Sequence, residues 1–245
     1  YIIKLRPNGV IAWQKLYGGD AAESAKGVDI LNNGNICVAG ETESNDDDVS
    51  GNKGGFDFWV LRLRANGTLI WANTYGGTSN DNAYSIDATA DGGMIVTGES
   101  ESNNGNLPGN KGGDDYWVLK LSLSGAVTWS KNYGGETFDG ARSIRQTADG
   151  GYIAAGSSES SSADVTDNYG GSDYWLIKLS STGNIEWNKN YGGADDDDAY
   201  SVFPTADGGY ITAGTSESDD VDVSANYSNE DYWVVKLATN GPVTA

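Results

Sequence analysis

Sixteen oxygen-bearing side chains recur in this chain at an interval of 58 residues, and their types suit the ligation of a hard cation. Glu43, Glu101, Glu159 and Glu217 open a long polar loop in each copy. Asp48, Asn106, Asp164 and Asp222 follow, then Asn52, Asn110, Asn168 and Asn226, and Asp57, Asp115, Asp173 and Asp231 close it. The ends of such a loop join adjacent strands and must meet, which draws Glu and Asp together with the other two folded between them. Hard oxygen donors on a loop with several glycines point to Ca2+. Without a cation, clustered carboxylates repel and raise one another's pKa. The same residue types also cap turns by accepting backbone N–H bonds, and the spacing is not that of an EF-hand loop. Both readings stand at the level of sequence. A basic residue recurs at Lys4, Arg62, Lys120, Lys178 and Lys236, five of only 15 in the chain. An internal ion pair with a repeated acid is expected, and Glu43 with its equivalents is a candidate partner.

Other chemistry is excluded by what the chain lacks. It has no histidine, which removes Ser-His-Asp and Cys-His catalysis and histidine-ligated zinc. Its one cysteine, Cys37, aligns with Ile95, Ile153 and Ile211 and reads as a small buried hydrophobe. Paired carboxylates can hydrolyse glycosides, but no pair stands out. An active site should break the repeat because a substrate presents different atoms to different groups, and here the acids are the repeated residues. The reading is therefore a protein that is not an enzyme. With 35 acidic against 15 basic residues the net charge is −20, which repels nucleic acid and anionic membrane. No apolar run approaches membrane-spanning length, so membrane insertion is not expected. No signal peptide is visible, and a start at Tyr1 instead of Met reads as a mature or trimmed segment.

The elements that must position these residues follow from the same period. Trp13, Trp71, Trp129 and Trp187 each begin W-x-x-x-Y-G-G, and Asp57-Phe58-Trp59 returns as Asp115-Tyr116-Trp117, Asp173-Tyr174-Trp175 and Asp231-Tyr232-Trp233. A fixed period of this length without helical patterning marks a repeat architecture. In the third copy, residues 115–121 form a strand, Ser124-Gly125 a turn, and residues 126–133 a second strand closed by Gly134-Gly135. Residues 140–148 form a third strand, Asp149-Gly150 a turn, and residues 151–156 a fourth. Trp117, Leu119 and Leu121 point to one face and Tyr116 and Val118 to the other. A sheet apolar on both faces needs a neighbour on each side. Radial packing supplies one to every copy, whereas a linear stack would need caps, and none is visible.

The pattern D-Y-W-V-x-K-L-x-x-x-G-x-x-x-W resembles the strand pair of pyrroloquinoline-quinone-type and Kelch-like propeller repeats. The whole unit more closely resembles the tandem D-Y-W, W-x-x-x-Y-G-G and D-G-G-Y-I repeats of secreted bacterial surface proteins. That resemblance covers essentially all of the chain. It implies export and a non-catalytic propeller; residues to hold a quinone are not found. By this analogy the strand around Ala141-Arg142-Ser143-Ile144 is innermost and the Trp129 strand outermost. Glu23, Asp81, Asp139 and Asp197 then sit at the start of innermost strands. They would form an acidic ring at one mouth of a central channel, able to hold a cation or cationic group, or else cap the strand starts. Asp195, Asp196, Asp197 and Asp198 form a charge run that reads as a solvated loop.

The expected fold is thus all-β, a single domain over 1–245. It is a β-propeller of four-stranded antiparallel blades, built from four 58-residue repeats whose N- and C-terminal strands share a blade. Four periods leave a 13-residue overlap, and the pattern gives about 17 strands where a ring of four blades needs 16. The expected function is a non-catalytic extracellular or cell-surface module for interaction, adhesion or structure, meeting a protein or a glycan, with Ca2+ stiffening the loops. One alternative is a lectin-like propeller using the off-pattern aromatics Tyr169, Tyr227 and Phe138. Another is a glycan-active hydrolase or lyase using loop carboxylates.

Overall fold

The computed structural model describes residues 1–227 and 229–238. Among them are seventeen strands and no helix. β1 (Ile2–Leu5) and β2 (Ile11–Lys15) pair as an isolated hairpin. β3 (Glu23–Ile30), β4 (Ile36–Thr42), β5 (Asp57–Leu63) and β6 (Leu69–Tyr75) form the first four-stranded sheet, in chain order. β7 (Asp81–Ala88), β8 (Met94–Ser100), β9 (Asp115–Leu121) and β10 (Val127–Tyr133) form the second. β11 (Asp139–Gln146), β12 (Tyr152–Ser158), β13 (Asp173–Leu179) and β14 (Ile185–Tyr191) form the third. β15 (Asp197–Pro204), β16 (Tyr210–Ser216) and β17 (Asp231–Leu237) form a sheet of three. All pairings are antiparallel. The strands are the expected ones with shifted ends: the third in a unit begins at Asp139, not Gly140, and the fourth runs on to Ser158. Each four-stranded sheet takes two strands from one 58-residue unit and two from the next. The hairpin turns need a residue with positive φ, and Gly9, Gly67 and Gly125 supply it at 80–83°.

Alternation along the aromatic strands produces the packing. Phe58 and Val60 of β5 share a core cluster with Trp117, Leu119 and Leu121 of β9. Tyr116 and Val118 of β9 face the other way, onto Trp175, Ile177 and Leu179 of β13. Phe58–Trp117, Tyr116–Trp175 and Tyr174–Trp233 stack with ring centroids 4.2, 4.5 and 4.7 Å apart. Where the ring is tyrosine it also donates to the next tryptophan's carbonyl, at 2.8 Å from Tyr116 and 3.0 Å from Tyr174. Adjacent sheets therefore meet face to face.

The inner strands β3, β7, β11 and β15 lie each against the next. The outer strands grip the neighbouring hairpin turn. Trp71 and Trp129 donate their indole N–H to Leu123 O and Ser181 O at 3.2 Å, and Tyr75 and Tyr133 donate to Gly125 O and Gly183 O at 2.6 and 2.5 Å. The Trp and Tyr of W-x-x-x-Y-G-G are thus the clasp of one sheet on the next. This is a propeller-like all-β fold.

The described residues do not close it. The expected shared blade is not formed, because the hairpin β1–β2 and the sheet β15–β17 stay separate. β1 and β17 carry the same stretch of the repeat, Ile2-Ile3-Lys4-Leu5 and Val234-Val235-Lys236-Leu237, so one sheet has room for only one of them.

The repeated base also pairs differently from expectation. Lys120, Lys178 and Lys236 reach Asp91, Asp149 and Asp207 of the Asp-Gly turns, each at 2.9 Å, and Lys178 also meets Glu186 at 3.0 Å. Glu43, Glu101, Glu159 and Glu217 lie exposed at the opposite end of the strands. The turn equivalent to Asp91-Gly92 in the first unit is Asn33-Gly34, and Arg62 there donates to Leu123 O instead. Cys37 is fully buried and free, and burial pushes its thiol up to about 12.

Candidate functional site

The structure brings together acids that the sequence places in two different sets. Asp57 begins β5 and Asp81 begins β7 of the next sheet, and both are fully buried. Asp115 with Asp139 and Asp173 with Asp197 repeat the arrangement. A Cβ placed on Gly76 would stand 2.2 Å from Asp57 Oδ1 and 2.6 Å from Asp81 Oδ2, so the two oxygens are within about 5 Å of each other. Gly134 and Gly192 see the same pairs. The first glycine of Tyr-Gly-Gly is therefore required by two carboxylates pressing on its Cα.

The donors to these acids are unequal. Asp81 is held from several sides: Ser100 Oγ donates to Oδ1, while Ser102 Oγ at 2.9 Å and Gly77 N at 2.7 Å donate to Oδ2. Asp139 repeats this with Ser158, Ser160 and Gly135. Asp57, Asp115 and Asp173 each accept one backbone N–H on Oδ2, from Lys53, Lys111 and Tyr169. Their Oδ1 atoms have no partner. Burial, reinforced by the neighbouring acid, pushes Asp57 and Asp115 up to about 6 and Asp173 up to about 7. Burial also raises Asp81, Asp139 and Asp197, against their hydroxyl and N–H donors. Two carboxylates this close in a dry seam hold a proton between them more readily than two charges.

The remaining candidate residues staple loops. Asn52, Asn110 and Asn168 each donate to two carbonyls, as in Asn52 to Thr42 O and Gly55 O at 2.9 and 3.0 Å. Asn226 does the same with Ser216 O and Asn229 O. Asn106 and Asp164 accept the side chains of Lys53 and Lys111 from the preceding sheet's loop. The N–H groups of Asp48 and Asp222 donate to Gly18 O and Gly192 O. Asp231 accepts Tyr227 N. The sixteen residues do not converge on one point. Among the described residues no group of three or more His, Cys, Asp and Glu is arranged to hold a metal ion.

Asp81, Asp139 and Asp197 are fully buried at the strand starts. Glu23 is half-buried and holds Gly19 N and Thr42 Oγ1. Nor is 195–198 wholly a solvated loop, since Asp197 is buried and begins β15.

Two features were missed in the sequence. The hydroxyl pairs Thr42/Ser44, Ser100/Ser102, Ser158/Ser160 and Ser216/Ser218 recur at the same period and could have been read as partners for buried acids. The second feature breaks the period. Tyr84 Oη donates to Glu99 Oε1 at 2.6 Å, Arg142 donates to Glu99 Oε2 at 2.9 Å, and the guanidinium lies 4.1 Å from the centre of the Tyr84 ring. Asp114, near Glu99 and Glu101, is pushed up to about 6, chiefly by burial. Glu99 replaces a Ser or Thr found in the third and fourth units, and only departures of this kind distinguish one seam from another. Of the off-pattern aromatics, Tyr227 is 91% exposed, Tyr169 44%, and Phe138 half-buried.

No family model and no curated protein matches the chain. Among solved structures it is similar to a protein of unknown function from Bacteroides caccae. That likeness has 11% identity, covers 84% of this chain and 58% of the other, and has a TM-score of 0.49. It is also similar to the WD40 domain of Neurospora crassa Pan2, at 13% identity over 89% of this chain and 65% of that one, with a TM-score of 0.44. The chain thus spans less than two thirds of either structure's length.

Proposed function

We propose that this chain is a non-catalytic interaction module, working outside the cell or on its surface, that meets a protein partner through its long loops. The observation that supports this most is the fate of the repeated acids. The six that form pairs, Asp57/Asp81, Asp115/Asp139 and Asp173/Asp197, are buried between sheets, held by backbone N–H groups and, at the second of each pair, serine hydroxyls. What varies from unit to unit and stays accessible is on the loops 43–56, 101–114, 159–172 and 217–227. An acidic surface carrying net charge −20 favours a basic partner face. In this reading the loops are stiffened by their own asparagine staples and Lys53 and Lys111 bridges, with protons in place of Ca2+ at the buried pairs.

The test is binding of the intact chain to immobilised extracellular proteins at two ionic strengths. Salt-sensitive binding that Tyr169→Ala with Tyr227→Ala weakens at unchanged melting temperature supports the reading. Turnover of any glycoside or ester substrate by the pure chain refutes it. A second reading, carbohydrate binding, is favoured by the exposure of Tyr169 and Tyr227, since a sugar platform needs an accessible ring. Salt-insensitive hits on a glycan array, lost in the same double variant, select it over the first.

A further inference from the structure

One place between neighbouring sheets is built differently each time it recurs. Between the second and third sheets, Gln146 at the end of β11 reaches back to the Asp91-Gly92 turn, where its Oε1 accepts Ala90 N at 2.7 Å. The residue opposite Gln146 on β12 is Tyr152. Between the first and second sheets the two positions hold Ala88 and Met94, and between the third and fourth Pro204 and Tyr210. Of these three seams, only the last has the aromatic residue without the glutamine. The turn facing Pro204 is 147–150, and Ala148 N finds no acceptor among the described residues. A cavity of about 220 Å³ lies between that turn and Pro204, Thr205, Gly209 and Tyr210. Ala148 and Pro204 are exposed at its rim. The bonds around it change together. Asp29 and Asp87 accept the N–H of Ala88 and Gln146, but Arg145 stands at the next such position and Pro204 has no N–H to give. Arg145 lies instead 4.6 Å from the centre of the Phe203 ring.

We propose that this cavity binds a small neutral molecule through a carboxamide, either a primary amide or an acetamido group. The carboxamide oxygen takes the Ala148 N–H, as Gln146 takes Ala90 N in the neighbouring seam. The carbon beside the carbonyl packs on the rings of Pro204 and Tyr210, which line the cavity. The amide N–H meets oxygen acceptors, the Asp149 carboxylate and the Tyr210 hydroxyl. A carboxylate ligand would offer the same oxygen but faces a local surplus of negative charge, since Asp149 and Glu186 share the single Lys178. The neutral amide is therefore selected. The walls belong to two hairpin turns inside the chain, and neither is a chain end. The site lies at the Asp-Gly end of the sheets, away from the long loops, so it is independent of the loop reading above.

Amide NMR of the isotope-labelled full chain tests this, with propionamide, propionate, N-acetylglucosamine and glucose as probes. Propionamide and N-acetylglucosamine should shift the Ala148 amide saturably, with dissociation constants on the order of 1–100 mM, the scale for so few contacting atoms. Propionate and glucose should barely move it. Whichever amide binds more tightly names the source of the group. Pro204→Gln supplies the chain's own carboxamide and should abolish the response while the protein stays folded. Gln146→Ala should create a second responsive amide at Ala90. An Ala148 amide that moves equally with propionate, or with none of the probes, overturns the proposal. So does a Pro204→Gln variant that still responds, or a folded Gln146→Ala variant in which Ala90 stays silent.

Discussion

Asp173→Asn should make the protein more stable at neutral pH and leave it nearly unchanged in mild acid. Asp173 is fully buried, its Oδ2 accepts Tyr169 N at 2.6 Å, and its Oδ1 has no partner. Burial and Asp197 raise its pKa from 3.8 to about 7. A carboxyl raised in this way binds its proton in the folded state where the unfolded chain has already released it. Its stabilising contribution is complete below about pH 4 and is lost as pH rises towards 7. That rise in pKa corresponds to ~4 kcal/mol, an upper figure because Asp197 shares the titration. Asparagine mimics the protonated form: its oxygen can keep the Tyr169 N–H, and its amide can donate towards Asp197 Oδ2. The gain at pH 7.5 is therefore ~2–4 kcal/mol, or roughly 5–15 °C in melting temperature for a chain of this size. At pH 4.5 the difference should fall below ~1 kcal/mol. Thermal unfolding of both proteins from pH 4 to 8 measures it. A variant that loses stability equally at both pH values would show that the charged carboxylate is satisfied by something else, and the proton reading would fail.

Four further outcomes follow from the same geometry. EDTA should leave the melting temperature within about 1 °C at pH 7.5, because protons neutralise the buried pairs; a fall of several degrees, reversed by Ca2+, restores the calcium reading. Gly76→Ala should cost at least ~1–3 kcal/mol, the range for overpacking, because its Cβ would meet Asp57 and Asp81 together; denaturant unfolding shows whether it does. Lys178→Met should cost ~1–3 kcal/mol by removing the buried ammonium that donates to Leu179 O and pairs with Asp149 and Glu186. It should also flatten the acid limb, since Asp149, held down at about 2 by Thr147 and Lys178, contributes stability that is lost as pH falls from about 4 towards 2. Arg142→Ala removes one of the two donors to the buried Glu99 and should cost ~1–3 kcal/mol, whereas Lys26→Ala, on a partly exposed pair with Glu41, should cost under ~1 kcal/mol.

Local pattern made most of the fold readable. Alternation placed Trp117, Leu119 and Leu121 on one seam and Tyr116 and Val118 on the next, and the Asn-Gly, Ser-Gly and Asp-Gly pairs marked the hairpins. The strand over 115–121 is β9 to the residue; ends slipped by a residue or two where the buried Asp139, read as lying before its strand, begins β11, and where β12 runs on to Ser158, whose hydroxyl Asp139 accepts. The site was half readable. The acids were visible as repeated oxygen donors, but the pairing of Asp57 with Asp81 joins strands of different sheets. It depends on how two sheets stack, and no spacing within a loop encodes that. The lysine pairing was within reach. Lys120 sits one residue from the end of its strand, and the antiparallel register sets Ile95 opposite it, so the Asp91 turn is close and Glu101 lies at the far end.

The buried acid pairs raise a question that hydrophobic packing does not answer, since apolar residues would fill the same seam without titrating. The apolar faces repeat every second residue, so a sheet slid two residues along its neighbour still sets large apolar side chains against large apolar side chains. The acids forbid that slip. Asp81 takes Ser100 and Ser102 from its own sheet and Asp57 meets Gly76 within its own, so those contacts travel with each sheet. What crosses the seam is the Asp57–Asp81 pair and the bond from Asp81 N to Phe56 O at 2.6 Å. Displacement by two residues would part Asp57 from Asp81 and break the Asp81 N–Phe56 O bond, leaving buried polar groups unpaired, which costs on the order of a few kcal/mol per group. Each seam thus gives up some stability at neutral pH and gains a single register. Because the paired acids and the N–H bond from Asp81, Asp139 or Asp197 to Phe56, Asp114 or Ser172 recur at each described seam, the chain can be built from near-identical units without their sheets mispairing. The unit-specific residues, Glu99 with Arg142 and Arg145 over Phe203, are then left to distinguish one seam from the next.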